Sequence, residues 1–430
     1  MKVIIVGAGI AGLSAGVALR QTNHEVLILE KSSFANEIGA AIWVPPNALR
    51  ILKRWGFSLE RAQAVKARKF RRYRGDSFET IVEQDLLGLE GTYGSPLYFC
   101  HRVDLHSELK YLATRADEGT APVTIRTRAE VRNIDPEHGV VTLKDSSTLH
   151  ADLIIGAGGI HSFAASLFND HTEDVISVDK SLFRFLIPTA EIIKDEETRF
   201  YVEEPGTAKQ CLGHDGTVLV TYPCRRETIQ NCAIFHHDTG KTKNLGTEDW
   251  TKAATVQDVL KHCDGLHPSI VKVIRKATEI KHWKLLVRRP LERWYKSRLV
   301  VVGDAAHAML PFQGQGGAQA IEDAAALGTI FASVKSTSPL SIESIEKRLS
   351  IFQSVRKDRA SAIQAFSSAG PEEEYKMVKT AKEFVKDGKV PLTFMEFVEW
   401  NYRHDVVVEC KKVMVELNLG FEPRDSRQSR

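Results

Sequence analysis

The stretch "GDAAHAMLPFQGQGGAQAIEDA" (303–324) places a carboxylate, Asp304, three residues before an imidazole, His307, with a run of glycines close behind. Two chemistries use such residues. A hydrolase would pass protons through an Asp–His pair to a nucleophile, but the GxSxG pattern occurs only as "GLSAG" (12–16), within the helix that follows the opening glycine turn and not at a strand-to-helix elbow. A nucleotide-binding protein would use the glycines to bring a ligand against the backbone. "RLVVVGD" (298–304) reads as a buried strand ending at Gly303–Asp304, and "PFQGQGGAQAIEDAAALG" as a glycine turn entering a helix. A carboxylate at a strand end can accept from polyol hydroxyls, and a helix N-terminus stabilises an adjacent anion.

The chain opens on a fuller form of the same device. "KVIIVGAGIAGLSAGVALRQTNHEVLILEK" reads as strand, glycine turn, helix and strand. Gly7 permits the tight turn, Gly9 lets a pyrophosphate approach the backbone, and Gly12 lets the helix pack on the strand. The helix, from about Ile10 to Arg20, aims its first amides at the phosphates. Glu30 closes the second strand about 20 residues on, where a carboxylate accepts from ribose hydroxyls. Its charge would repel a 2′-phosphate, so the ribose here belongs to FAD or NAD and not to NADP. A plain NAD dehydrogenase has no use for the second site at Asp304, whereas the ribityl chain and ring of FAD need one.

Composition narrows the partners. The chain has 430 residues, 43% hydrophobic and 26% charged, which fits a soluble globular protein of two connected domains. Its 58 basic and 55 acidic side chains give a net charge of +3, no electrostatic reason to expect nucleic acid or an anionic membrane. The basic cluster "KARKFRRYR" (66–74) reads as a solvated, partly strand-like surface. Six cysteines without CxxC spacing, and no His/Cys cluster of metal-site spacing, predict inert thiols, no metal, and a reducing, cytoplasmic location. The apolar N-terminus reads as a nucleotide motif in preference to a signal peptide, because its glycines are regularly placed. No run is long enough to span a membrane.

The elements needed to position these motifs follow from pattern. Residues 122–159 alternate like a β-meander and end in a buried strand. Short alternating runs from 175 to 287 predict a mostly antiparallel sheet, interrupted by a helix near 255–276. After Gly317 the chain reads as helical, with "EFVEWNYRHDVVVECKKVMVEL" as one segment. The expected fold class is α/β, a Rossmann-like FAD-binding domain interleaved with a mostly antiparallel β-sheet substrate domain and followed by a helical C-terminal region. The expected divisions are 1–174 and 290–335 for the FAD domain, 175–289 for the substrate sheet and 336–430 for the helices.

With these motifs in this order, the chain resembles the group A FAD-dependent monooxygenases, the aromatic hydroxylases that include salicylate and p-hydroxybenzoate hydroxylases. "GAGIAG" resembles the family's first FAD motif and "GAAIWVPPNALRILKRWG" (39–56) its flavin-adjacent segment. "HRVDLHSEL" (101–109) resembles its Arg-x-Asp-Leu helix start, "GDAAHAMLPFQGQGGAQAIEDA" its second FAD motif, and "WNYRHDV" (400–406) its C-terminal segment. The resemblance implies FAD held by Gly7, Gly9, Ala11, Gly12, Glu30, Lys31, Gly39, Ala41, Arg102, Asp304, Gly314, Gly316 and Gly317. Asp304 would take the ribityl chain and Arg102 the phosphates, and His307 would be structural. It further implies transient NADH or NADPH, O2, an aromatic small-molecule substrate, hydroxylation through a C4a-hydroperoxyflavin, and a monomer or homodimer. A flavin-dependent epoxidase or oxidative-rearrangement enzyme of secondary metabolism would share the same sequence features. A non-catalytic FAD-fold binding or escort protein is the alternative from another class.

For the substrate, Arg184 in "SLFRFLIP" and Tyr222 in "LVTYPC" are the candidate catalytic residues. A fixed guanidinium holds a phenolate or carboxylate, and a tyrosine hydroxyl donates to a ring oxygen. A surface arginine and a core tyrosine would fit the same positions. His214, His236 and His237 are lesser candidates for a base, and Trp43 either walls the cleft or fills the core. Two departures from the family pattern concern nicotinamide handling. Gly158 stands where relatives carry the Asp of an Asp-Gly motif, with Ala165 near a usual Arg. Arg288 stands near a usual Asp.

Overall fold

Val3, Ile4 and Ile5 are completely buried in strand Lys2–Val6, as an apolar run between two parallel neighbours requires. The computed structural model describes residues 1–34, 40–168, 175–237, 253–334, 340–368, 374–385 and 388–419. Its first sheet has six strands in the order Tyr295–Lys296, Leu299–Val301, Leu153–Gly156, Lys2–Val6, Glu25–Leu29 and Thr124–Arg126. All neighbours are parallel except the Tyr295–Lys296 edge. Helix Ile10–Arg20 leaves the first strand and packs on helix Gly316–Phe331. The two helices touch at small residues: a Cβ on Gly328 would lie 2.8 Å from that of Ala18. The two glycine motifs, far apart in sequence, are thereby brought to one end of this sheet.

The second sheet has seven strands, in the order Thr278–Arg288, Val175–Pro188, Ile229–His237, Val218–Cys224, Thr207–Leu212, Lys69–Arg74 and Thr80–Asp85. It is antiparallel except where Thr207–Leu212 meets Lys69–Arg74. The last two strands come from the chain's first third, so the substrate sheet extends beyond the 175–289 stretch expected to form it. Their signal was obscured by charge. Of Lys69–Arg74 only Tyr73 is buried, and the cations pair on the surface, Arg71 with both Glu83 and Glu204.

The outer face of this sheet is covered by two short helices, Val256–Leu260 and Pro268–Ile274, in place of the single one expected near 255–276. Thr255 and Asp258 form a capping box at the first, and Pro268 starts the second. A three-stranded meander, Val131–Asp135, Val140–Leu143 and Thr148–His150, lies where alternation predicted it. A further small sheet, Ala41–Val44, Tyr98–His101 and Val65–Lys66, carries the flavin-adjacent segment.

The C-terminal region contains helices Ile342–Phe366, Glu374–Phe384, Phe394–Arg403 and Val406–Glu416. The last two were expected as one. The helix breaks at His404, and the Asp405 side chain caps the next by accepting from the amides of Val407 and Val408. Among the described residues, no helix is long and apolar enough to cross a membrane.

Candidate active site

The first glycine turn is sterically obligatory. Gly7 has φ +107°, and a Cβ there would sit 2.5 Å from the Ala157 carbonyl oxygen; on Gly12 it would sit 1.9 Å from that of Gly7. Gly9 differs, because a Cβ on it would meet nothing within 4 Å. It opens onto the N-terminus of helix Ile10–Arg20, which has no side-chain cap and so leaves its first amides for a ligand. Glu30 is fixed beside them, accepting from Ala8 N–H at 2.8 Å and Ser32 N–H at 2.7 Å. Each carboxylate oxygen keeps a lone pair for a ribose hydroxyl. His106 supports the turn from behind, with Nε2 2.7 Å from the Ala8 carbonyl oxygen. Lys31 and Arg102 are exposed. Gly39 lies outside the described residues.

The second motif meets the first at Gly303, whose Cβ would lie 2.8 Å from that of Ala11. Gly303 and Gly314 both have φ +61°, the left-handed region that favours glycine. Gly314 lies against Trp43 and Gly317 against Ile42, so the loop rests on strand Ala41–Val44. Asp304 is exposed at the start of a short helix, and a Cβ on Gly316 would come within 4.0 Å of its carboxylate. An open helix N-terminus, a ribose-type acid, a second free carboxylate and a glycine loop form a donor set that fits FAD.

His307 takes the structural part expected of it. It is 1% exposed, and its Nε2 lies 2.7 Å from Asp323, which also accepts from Gly303 N–H and from Arg356. Burial alone would raise the Asp323 carboxyl, but His307 and Arg356 hold it below the usual range.

The substrate sheet turns one face toward this loop. Arg184 donates from Nη2 to the Ala41 carbonyl at 2.6 Å, and the Tyr222 hydroxyl donates to the same oxygen at 2.9 Å. The two candidate residues, from separate strands, therefore converge on one peptide of the flavin-adjacent strand. The main-chain groups of Ala41, a residue expected to bind cofactor, are both taken by protein, since its N–H donates to Asn231 Oδ1 at 2.9 Å. Arg184 sits 5.4 Å over the Trp283 ring, and burial lowers its affinity for the proton. Burial pushes Tyr222 up to about 12, so it is a neutral donor. Trp43 has the packing expected of a core residue. It packs 5.3 Å from Phe99 and 6.0 Å from Tyr222, and stays half-buried beside the glycine loop.

The candidate bases are not brought to this point. His236 lies on the opposite face with His262, His282 and Phe183, and His214 and His237 are exposed against Gly265 and Gly216. The two departures lie near one another, because Arg288 donates to the carbonyl of Ile160, two residues after Gly158.

A family model described as an FAD binding domain matches residues 1–366. The FAD-dependent monooxygenase cfoG of Aspergillus candidus is 37% identical over 426 residues, 98% of this chain and 96% of the relative. The chain belongs to the FAD-dependent monooxygenases. Hispidin-3-hydroxylase of Neonothopanus nambi is 32% identical over 85% of this chain and 87% of its own. 3-Hydroxybenzoate 6-hydroxylase 1 of Aquipseudomonas alcaligenes is 26% identical over 95% and 99%. Among solved structures, FqzB matches with a TM-score of 0.75 at 26% identity, covering 99% of this chain and 96% of its own. The monooxygenase uses FAD as cofactor with NAD(P)H and O2, and the reading as a non-catalytic escort is set aside.

Sequence reasoning missed the charged core that braces this monooxygenase. Glu322 is completely buried, accepting from Arg356 at 2.6 Å, Arg359 at 2.8 Å and Asn47 at 2.7 Å. Asn47 also donates to Gln315 of the glycine loop, and Arg359 to Asn401 of a C-terminal helix. The helical region is thus tied to the flavin loop. "PNA" and "WNYRHDV" each contained a member and "IEDA" both Glu322 and Asp323, but nothing local marked Arg356 and Arg359 as buried.

Proposed function

We propose that this monooxygenase hydroxylates a phenolic or similarly electron-rich aromatic small molecule, held as an anion by Arg184 and Tyr222. The observation that carries this is their convergence at Ala41, beside the glycine loop of the second FAD motif. Relatives named for hydroxylating hispidin and 3-hydroxybenzoate support it. FAD, when bound, supplies the electron transfer and oxygen activation. The chain's own residues bind, orient and exclude water. The amides after Gly9, with Arg102, would hold the pyrophosphate, Glu30 the ribose and Asp304 the ribityl hydroxyls. Lys31, Gly39 and the Gly314–Gly317 loop would line the cofactor. Arg184 would stabilise negative charge on the substrate oxygen, Tyr222 would donate to it by turning its one hydroxyl proton away from the Ala41 carbonyl, and Trp43, Trp283 and Phe312 would keep water away.

In this reading the FAD domain is 1–174 with 290–335, lending strands Lys69–Arg74 and Thr80–Asp85 to the substrate domain at 175–289. The helices after 336 form its brace. All six cysteines are free and buried, which fits a reducing, cytoplasmic location for a monomer or homodimer.

Arg184→Ala is expected to keep FAD and lose about 2–4 kcal/mol of transition-state stabilisation, roughly 30- to 900-fold in kcat/KM. Tyr222→Phe tests the hydroxyl while keeping the ring. Unchanged product formation by Arg184→Ala would remove it from the site.

A further inference from the structure

The peptide at Ala41 is gripped by three side chains, and the third has no part in the reading above. Asn231, 1% exposed on strand Ile229–His237, accepts on Oδ1 from Ala41 N–H at 2.9 Å and from Arg184 Nε at 3.4 Å. Both partners are donors, so the amide oxygen and not the nitrogen must point at them. Arg184 is therefore held at two of its three nitrogens, Nη2 on the Ala41 carbonyl and Nε on Asn231.

We propose that Asn231 is a positioning residue that fixes the Arg184 guanidinium toward an anionic substrate without neutralising its charge. The proposal rests on the reading of Arg184 as the anion-holding group. A carboxylate is the commoner partner for a half-buried arginine, and it would supply the same acceptor geometry with a stronger bond. It would also cancel the field the substrate has to feel. A neutral amide orients the cation and leaves its charge for a ligand, with N–H donors of the five-donor fork to spare. Because the same oxygen holds Ala41 N–H, the position of Arg184 is set relative to the strand on which the glycine loop rests. The arginine and the loop therefore share one reference.

Asn231→Asp separates orientation from charge, because it is nearly isosteric and keeps both acceptor bonds. The probes are nitrophenols and the larger nitronaphthols, titrated into the FAD-loaded enzyme, since their ionised forms are coloured. With the wild type, binding should raise the phenolate band at pH values below the free probe's pKa. With Asn231→Asp, melting temperature and bound FAD should match the wild type. Affinity for the ionised probe should fall by roughly tenfold or more, and the bound probe should need higher pH to ionise. Asn231→Leu should weaken binding as well, without that shift in ionisation. If Asn231→Asp binds and ionises the probe as the wild type does, Asn231 is only a structural support and the proposal fails. If Asn231→Asp unfolds, Asn231→Ser supplies a neutral acceptor, and its failure to bind better than Asn231→Leu overturns the proposal. Failure of the wild type to bind any probe would reject the aromatic-anion reading and this proposal with it.

Discussion

Asp304 and His307 lie three residues apart, yet their surroundings differ, and we infer separable jobs for them that replacing each with alanine should expose. Asp304 is exposed, so its carboxylate is free to serve a ligand. Losing a hydrogen bond to a charged group costs about 1.5–3 kcal/mol, which is roughly 12- to 150-fold in FAD affinity. Stability without flavin should not change. His307 is buried against Asp323, which holds Gly303 N–H and Arg356 as its other partners. His307→Ala leaves that carboxylate one donor short and a void beside Trp294, at a cost of about 1–3 kcal/mol in stability. Fluorescence titration of flavin-stripped protein with FAD, beside melting curves of the same samples, reads both quantities. Asp304→Ala should shift the titration alone. His307→Ala should lower the melting temperature by several degrees, with a smaller loss of affinity passed on through Gly303. A melting temperature lowered more by Asp304→Ala, or FAD affinity reduced more by His307→Ala in a folded protein, would refute these assignments.

Gly158→Asp should fold and retain FAD, because of the two glycines only Gly159 has positive φ (+76°), and the tight approach of a Cβ on Gly158 to Ser162, 3.1–3.3 Å, asks for a shift of only a few tenths of an ångström. Rapid-mixing absorbance should show an altered rate of NAD(P)H-dependent flavin reduction, and loss of flavin would contradict this. Stability should fall as pH drops from about 6.5 toward 4, because burial holds His24 and His101 down to about 4 and His404 down to about 3. The unfolded imidazoles take up protons in this window and the folded ones do not, so denaturant midpoints that stay flat across it would count against the burial argument. Glu322→Ala should strand Arg356 and Arg359 without their shared carboxylate. A cost of about 3–5 kcal/mol is expected in unfolding measurements.

What could be read in the sequence was whatever has a local cause. Gly7 and Gly12 are glycines because a neighbouring backbone leaves no room, and the acid at Glu30 sits one βαβ unit away, so the pattern is written within thirty residues. Arg184 and Tyr222 were legible as residues on alternating strands, but their meeting at Ala41 was not. Asn231 reaches Ala41 across 190 residues of sequence and His106 reaches Ala8 across 98, distances that no periodicity encodes. The strand Lys69–Arg74 was legible as a partly strand-like surface, but its charges hid its place in the substrate sheet. The break at His404 was missed because apolar spacing continues through it, whereas the Asp405 cap that ends one helix and starts another is a single residue.

Whether oxygen from O2 reaches an aromatic product at this site can be measured directly. The FAD-loaded enzyme, given NADPH or NADH and a panel of phenols under heavy-isotope O2, should oxidise the nicotinamide faster with an accepted phenol present. It should also return a product carrying one heavy oxygen atom, and Arg184→Ala should lose most of that product while keeping its flavin. A flavin-loaded wild type that oxidises NAD(P)H yet yields only peroxide across the panel, or a product without the label, would contradict aromatic hydroxylation by this enzyme.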